Sequence, residues 1–178
     1  MVGAVVLAGV VWVWRSADAE RREVLREVAL AGALAGLVGV VLYDVTRIGL
    51  AQIDTSPYNP FEAIRMFGTL LVGSAAPVTA VYGVGMLYHF MNGVTFAIGY
   101  AFVLGREGGT SMRWALGTGI AWGIGLEAFQ LWLYPDWLNI KAFAEFATIS
   151  ALSHVVYGAT IGLACRWILR RRLTEEVV

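Results

Sequence analysis

The sequence predicts an all-α integral membrane protein: a bundle of four long transmembrane helices forming two related hairpins, with a short N-terminal membrane segment and two outer-surface amphipathic helices. Three observations carry this expectation. Of 178 residues, 58 % are hydrophobic and 15 % charged, and the mean hydropathy of +0.68 lies far above that of a soluble domain. Four apolar stretches, at roughly 28–50, 80–104, 113–134 and 148–169, are each long enough at ~1.5 Å per residue to cross a hydrocarbon core ~30 Å thick. They lack the alternation of barrel strands, and lipid offers no water to unpaired backbone groups, so helix is the structure that spans.

Taken in order, the chain opens with Met1 to Trp14, about 13 apolar residues with no basic stretch ahead of them and no small-residue cleavage pattern. This reads as a retained segment rather than a signal peptide. At ~20 Å it is either a short span or a partly inserted anchor, with Trp12, Trp14 and Arg15 at an interface. The first hairpin covers 28–104 and the second 113–172, within one membrane domain of residues 1–178. The connection at 51–79 breaks at Ser56-Pro57 and Asn59-Pro60, then sets Glu62, Arg65, Thr69 and Gly73 opposite Ile64, Phe67 and Leu71. That spacing predicts an amphipathic surface helix. In the connection at 135–147, Pro135 is expected to end the third span, and Trp137, Lys141, Phe143, Glu145 and Phe146 predict a second one. The 21 glycines suit close approach of membrane helices.

Charge orients the bundle. Arg15, Arg21, Arg22, Arg26, Arg106, Arg113, Arg166 and Arg170 to Arg172 fall on one side, against Arg65 and Lys141 on the other. The positive-inside rule then puts the C-terminus in the cytoplasm of a multipass inner-membrane protein. A formal net charge of zero, with no basic stripe, sets nucleic-acid binding aside. One cysteine, Cys165, excludes an intrachain disulfide, a Cys-based zinc cluster and a CxxC pair.

The two halves share a frame. His89-x3-Gly93-x-Thr95 recurs as His154-x3-Gly158-x-Thr160, and Gly36 precedes Asp44 by the same eight residues that separate Gly119 from Glu127. This suggests an internal repeat of acid helix, surface helix and histidine helix. It sets Asp44, Glu127, His89 and His154 at one depth, ~10 Å below the outer edge of the core at helical rise. Ionisable side chains there face the bundle interior and find partners.

Several readings of that layer stand side by side. It serves as polar glue, with Asp44 and Arg47 neutralising each other one turn apart. Alternatively His89, His154, Asp44 and Glu127 ligate a transition metal, Zn, Fe, Mn or Cu, which is the leading functional reading. A third reading makes His89 and His154 the axial ligands of a haem b, and a fourth makes the layer a proton relay or a proton-coupled transporter. A non-catalytic subunit or scaffold, a homo-oligomer or a partner of other membrane subunits through Gly32, Gly36 and Gly39, is the remaining class. Ser153 beside His154 is no nucleophile pair, and 104–109 lacks the residues of a phosphate-binding loop.

The run Tyr88-His89-Phe90-Met91-Asn92-Gly93 through Gly99-Tyr100, the glycine-rich third helix ending at Tyr134-Pro135, and Ser153-His154-Val155-Val156-Tyr157-Gly158 ahead of an arginine-rich tail together resemble the uncharacterised bacterial inner-membrane proteins of the YagU-like group. The likeness covers roughly residues 80–172. It implies a bacterial inner-membrane location and supplies no catalytic residues.

Overall fold

The computed structural model describes residues 14–54, 59–105, 111–137 and 143–175, so the predicted segment 1–14, apart from Trp14, lies outside the described residues. Among them the chain is helical throughout, with no strand. Helix α1 is Ala19–Ile53, α2 Glu62–Val72, α3 Val78–Tyr100, followed by a π-helical turn at Ala101–Gly105, α4 Met112–Trp137 and α5 Phe143–Glu175.

Helix α1 starts nine residues before the predicted apolar stretch because its first turns are strong helix formers behind a good cap. Asp18 Oδ1 accepts from the Arg21 amide at 2.8 Å, and Glu20 complements the positive end of the helix. Arg22 folds back to donate to the carbonyls of Trp14 and Arg15 at 3.1 and 3.3 Å. Helix α2 stops at Gly73, whose φ of 87° is a left-handed conformation that side chains resist. On α2, Arg65 donates to Glu62 at 2.6 Å, a hydrogen bond that holds the guanidinium pKa above its ordinary range.

Two details differ from the expectation. Pro135 does not end the third long helix, which continues to Trp137. Phe143, Glu145 and Phe146 form no separate surface helix but begin α5. No breaker separates them from the helix that follows, and Phe146 is buried at 4 % exposure against the bundle. Lys141, assigned to that second surface helix, lies outside the described residues.

Among the described residues, three helical stretches, Ala19–Ile53, Val78–Leu104 and Ala144–Arg170, are long and apolar enough to cross a membrane. Their packing brings small residues together and leaves large apolar ones outside. Buried positions on α1 are mostly small, Ala31, Gly32, Ala35, Gly36 and Gly39, while Leu34, Leu37, Val38, Val41 and Val45 on the same helix are exposed. Lipid tails solvate large apolar side chains as well as a core does, so association comes from close backbone contact. Helices α1 and α3 run antiparallel with Gly32 against Ile98 and Gly36 against Val94; a Cβ would come within 2.6 and 2.8 Å of those Cα atoms. Helices α4 and α5 do the same at Gly119 and Gly158, where a Cβ on either would overlap the other's carbonyl oxygen.

The middle of the bundle is α1 against α5, with α3 outside α1 and α4 outside α5. Tyr157, Ile161 and Cys165 of α5 pack with Val28, Ala35 and Val40 of α1. Helix α2 lies across α3, where Gly68 meets the Val81 carbonyl and Gly85 meets that of Ile64 without room for a Cβ. Helices α3 and α4 join through Tyr100, which bonds Thr118 at 3.0 Å and stacks edgewise on Trp122 at 6.1 Å.

Candidate functional site

Each of the four ionisable residues of the proposed layer sits on a different long helix: Asp44 on α1, His89 on α3, Glu127 on α4 and His154 on α5. The bundle joins them as two acid–imidazole pairs. His89 Nε2 lies 3.1 Å from Asp44 Oδ1, and the same oxygen accepts from Arg47 Nη2 at 2.8 Å. His154 Nδ1 lies 2.9 Å from Glu127 Oε2. The antiparallel crossings cause this pairing, since each acid is displaced from its helix's crossing glycine by the same eight residues.

The second pair is more elaborate. Ser150 Oγ donates to Glu127 Oε2 at 2.9 Å, and with that proton committed the Tyr43 hydroxyl donates to Ser150 at 3.3 Å. His154 Nδ1 faces two acceptors, Glu127 Oε2 at 2.9 Å and the Ser150 carbonyl at 3.0 Å, so this nitrogen carries the proton. Its Nε2 lies 2.8 Å from the Gln130 amide nitrogen, which donates to it. Glu127 Oε1 and Arg47 Nε are buried without a hydrogen-bond partner.

Tyr43 joins the two pairs. Its ring centroid is 4.8 Å from that of His154, edge on, and 5.7 Å from that of His89. The imidazole centres are therefore separated by no more than the sum of those distances. Arg47 covers the Tyr43 ring at 5.3 Å and lies 6.0 Å from Phe61, cation–π contacts that hold a buried guanidinium in an apolar setting. Both Nε2 atoms, the nitrogens a bis-histidine haem would use, are engaged by Asp44 and Gln130. Among the described residues, no group of three or more His, Cys, Asp and Glu side chains could hold a metal ion together.

A cavity of about 200 Å³ adjoins this network. Arg47, His89, Asn92, Gln130 and His154 give it polar wall, and Ile64, Phe67, Phe96, Leu126, Phe129 and Phe146 give it apolar wall. Three members were not singled out as functional from the sequence. Ser150 carried a usable signal, lying one turn before His154 on the same face of an apolar helix. Gln130 offered only its position three residues past Glu127, as Arg47 stands three past Asp44. Tyr43 had no signal in spacing, because its importance comes from two helices distant in sequence.

The remaining polar side chains close local bonds. Ser153 donates to the Ile149 carbonyl at 2.8 Å, and Tyr157 donates to that of Gly93 at 2.6 Å.

No protein family, curated protein or solved structure matches the chain. The fold and the network define its class: a helical bundle with helices long and apolar enough to cross a membrane and a partly buried histidine–carboxylate network beside a cavity.

Proposed function

We propose that the chain is a multipass membrane protein whose buried layer takes up one proton, or one metal cation in its place, on the wall of a ligand cavity. The carrying observation is the charge count around Tyr43. Two carboxylates, Asp44 and Glu127, stand against one fixed cation, Arg47, which is committed to Asp44 at 2.8 Å. With both imidazoles neutral, one negative charge on Glu127, whose side chain is 4 % exposed, has no cation beside it among the described residues. An uncompensated charge in such surroundings is costly, so binding of a positive charge is favoured.

His154 is the receiving group. Its Nδ1 is held by Glu127, and its Nε2 faces Gln130. The Gln130 amide donates to a neutral ring through its nitrogen and, turned over, accepts from a protonated ring through its oxygen. One pair of side chains thus serves both charge states without movement of a helix, as a proton relay or proton-coupled carrier requires.

Helix α4, at 26 residues, is long enough to be a fourth span beside the three that are also sufficiently apolar; Glu127 and Gln130 lower its hydropathy. The arginine distribution supports a cytoplasmic C-terminus with the layer in the outer half of the bilayer. The YagU-like resemblance supports a bacterial inner membrane. Equivalent glycine crossings and equivalent acid–histidine pairs in the two hairpins support an origin by duplication.

The test uses the chain's two histidines, whose nitrogen resonances are resolved by selective labelling in lipid nanodiscs. We expect the His154 nitrogen resonances to report the layer's uptake of positive charge, and the Glu127→Gln protein to lose that signal over the same titration. An unchanged titration in that variant sinks the charge-count account.

One observation favours the metal form of this reading. Each imidazole has one ring nitrogen tied to a carboxylate, the arrangement that orients histidines which bind metal through the other nitrogen. His89 and His154 would then be ligands, with Asp44 and Glu127 behind them. Elemental analysis of protein purified without chelator should find about one transition-metal ion per chain if this form holds, and none if the layer takes protons alone.

A further inference from the structure

We infer that the cavity is a lipid-fed site for a neutral ring-headed molecule whose ring carries carbonyl or hydroxyl oxygens, the chemistry of lipid-soluble quinones and quinols. This rests on the membrane placement proposed above and adds a ligand class to the same cavity.

The route comes from the packing order. Helices α3 and α4 flank the central pair α1 and α5 and join through Tyr100 at Thr118 and Trp122. Phe96 on α3 and Phe129 on α4 line the cavity, yet they are 39 % and 56 % exposed. A side chain that is both cavity wall and molecular surface marks a mouth. Between two spanning helices that mouth faces acyl chains, so ligands enter from lipid, and a tail remains outside between the two phenyl rings.

The size fits one ring. An engineered apolar cavity of about 150 Å³ holds benzene, and this one is about 200 Å³. Aromatic walls from Phe67, Phe96, Phe129 and Phe146 suit a flat head.

The charge of the head is decided by the layer. Arg47 is neutralised by Asp44, and Glu127 adds a negative charge, so an anionic head such as a fatty-acid carboxylate would meet a wall of zero or negative charge. A neutral oxygen acceptor meets the Arg47 side chain and the amides of Asn92 and Gln130 on the cavity wall. A hydroxyl form finds an acceptor in the same amides through their oxygens.

The experiment is equilibrium partitioning into phosphatidylcholine nanodiscs with and without the protein. The probes are decylubiquinone, decanoate, which has an anionic head on a comparable chain, and dodecane, which has no head. We expect saturable enrichment of decylubiquinone near one per chain and no saturable enrichment of the other two. Saturation by decanoate, or the same partitioning of all three with and without protein, overturns the proposal. Phe96→Trp, which narrows the mouth, should weaken decylubiquinone binding at least tenfold. Phe102→Trp, at a lipid-exposed position outside the cavity, should leave it unchanged, and equal effects of the two overturn the lateral route. The histidine titration on the same nanodiscs reads the charge layer independently, so loss of quinone binding with an intact titration rejects this inference alone.

Discussion

The two acid–imidazole pairs each join two antiparallel helices, yet they are built differently. In the first, the Asp44 carboxylate is answered by Arg47 on its own helix, and His89 remains 22 % exposed. In the second, Glu127 has no cation among the described residues, is almost fully enclosed, and draws its bonds from Ser150 and His154. A carboxylate that carries its own counterion is electrically finished and does structural work. One stabilised by hydrogen bonds alone keeps its charge open to a proton or a metal. Under the proposed function, the difference would put the charge uptake in the second hairpin and leave the first as an anchor.

Removing counterions should break this contrast if it is wrong. Arg47→Met strands Asp44 in the bundle, and losing one partner of a buried ion pair costs about 3 to 5 kcal/mol. Unfolding of the purified protein in mixed micelles should show a loss of that order. Glu127→Gln removes a charge that has no cation, so the same assay should find it near neutral or stabilising. Equal losses for the two variants would mean that the pairs are electrically alike. A smaller effect separates the crossings. A methyl group on Gly158 meets the backbone of Gly119 and Ile120, whereas on Gly93 it meets a side chain, that of Val40, rather than backbone. Overpacking costs about 1 to 3 kcal/mol, and Gly158→Ala should lie at the top of that range with Gly93→Ala well below it.

How much of this was legible depends on whether one helix or several define the feature. The helical membrane class follows from composition and segment length alone, properties each stretch has by itself. The Asp44–Arg47 bond was readable for the same reason, being one turn apart on one helix. A helix in the first connection was legible because Pro57, Pro60 and Gly73 punctuate that stretch. Residues 143–146 misled because an apolar–polar pattern looks alike in a surface helix and in the first turn of a buried one. Only the burial of Phe146 under its neighbours separates the two. The link through Tyr43 was invisible, since it needs the crossing of α1 and α5 at a register that spacing within either helix does not state.

The smallest expected effects test whether the two halves are one network. Ser150→Ala removes the hydroxyl that donates to Glu127 and receives from Tyr43, and a buried acceptor left without a partner costs about 1 to 3 kcal/mol. Tyr43→Phe leaves the Ser150–Glu127 bond in place and removes one neutral hydrogen bond, about 1 kcal/mol. In the double variant the Tyr43 hydroxyl is no longer stranded beside an alanine, so the combined loss should not exceed that of Ser150→Ala alone. That shortfall from additivity, measured as a double-mutant cycle, is the coupling that runs from the first hairpin's helix to the second hairpin's acid. Additive losses would leave the tyrosine a packing ring between two independent pairs.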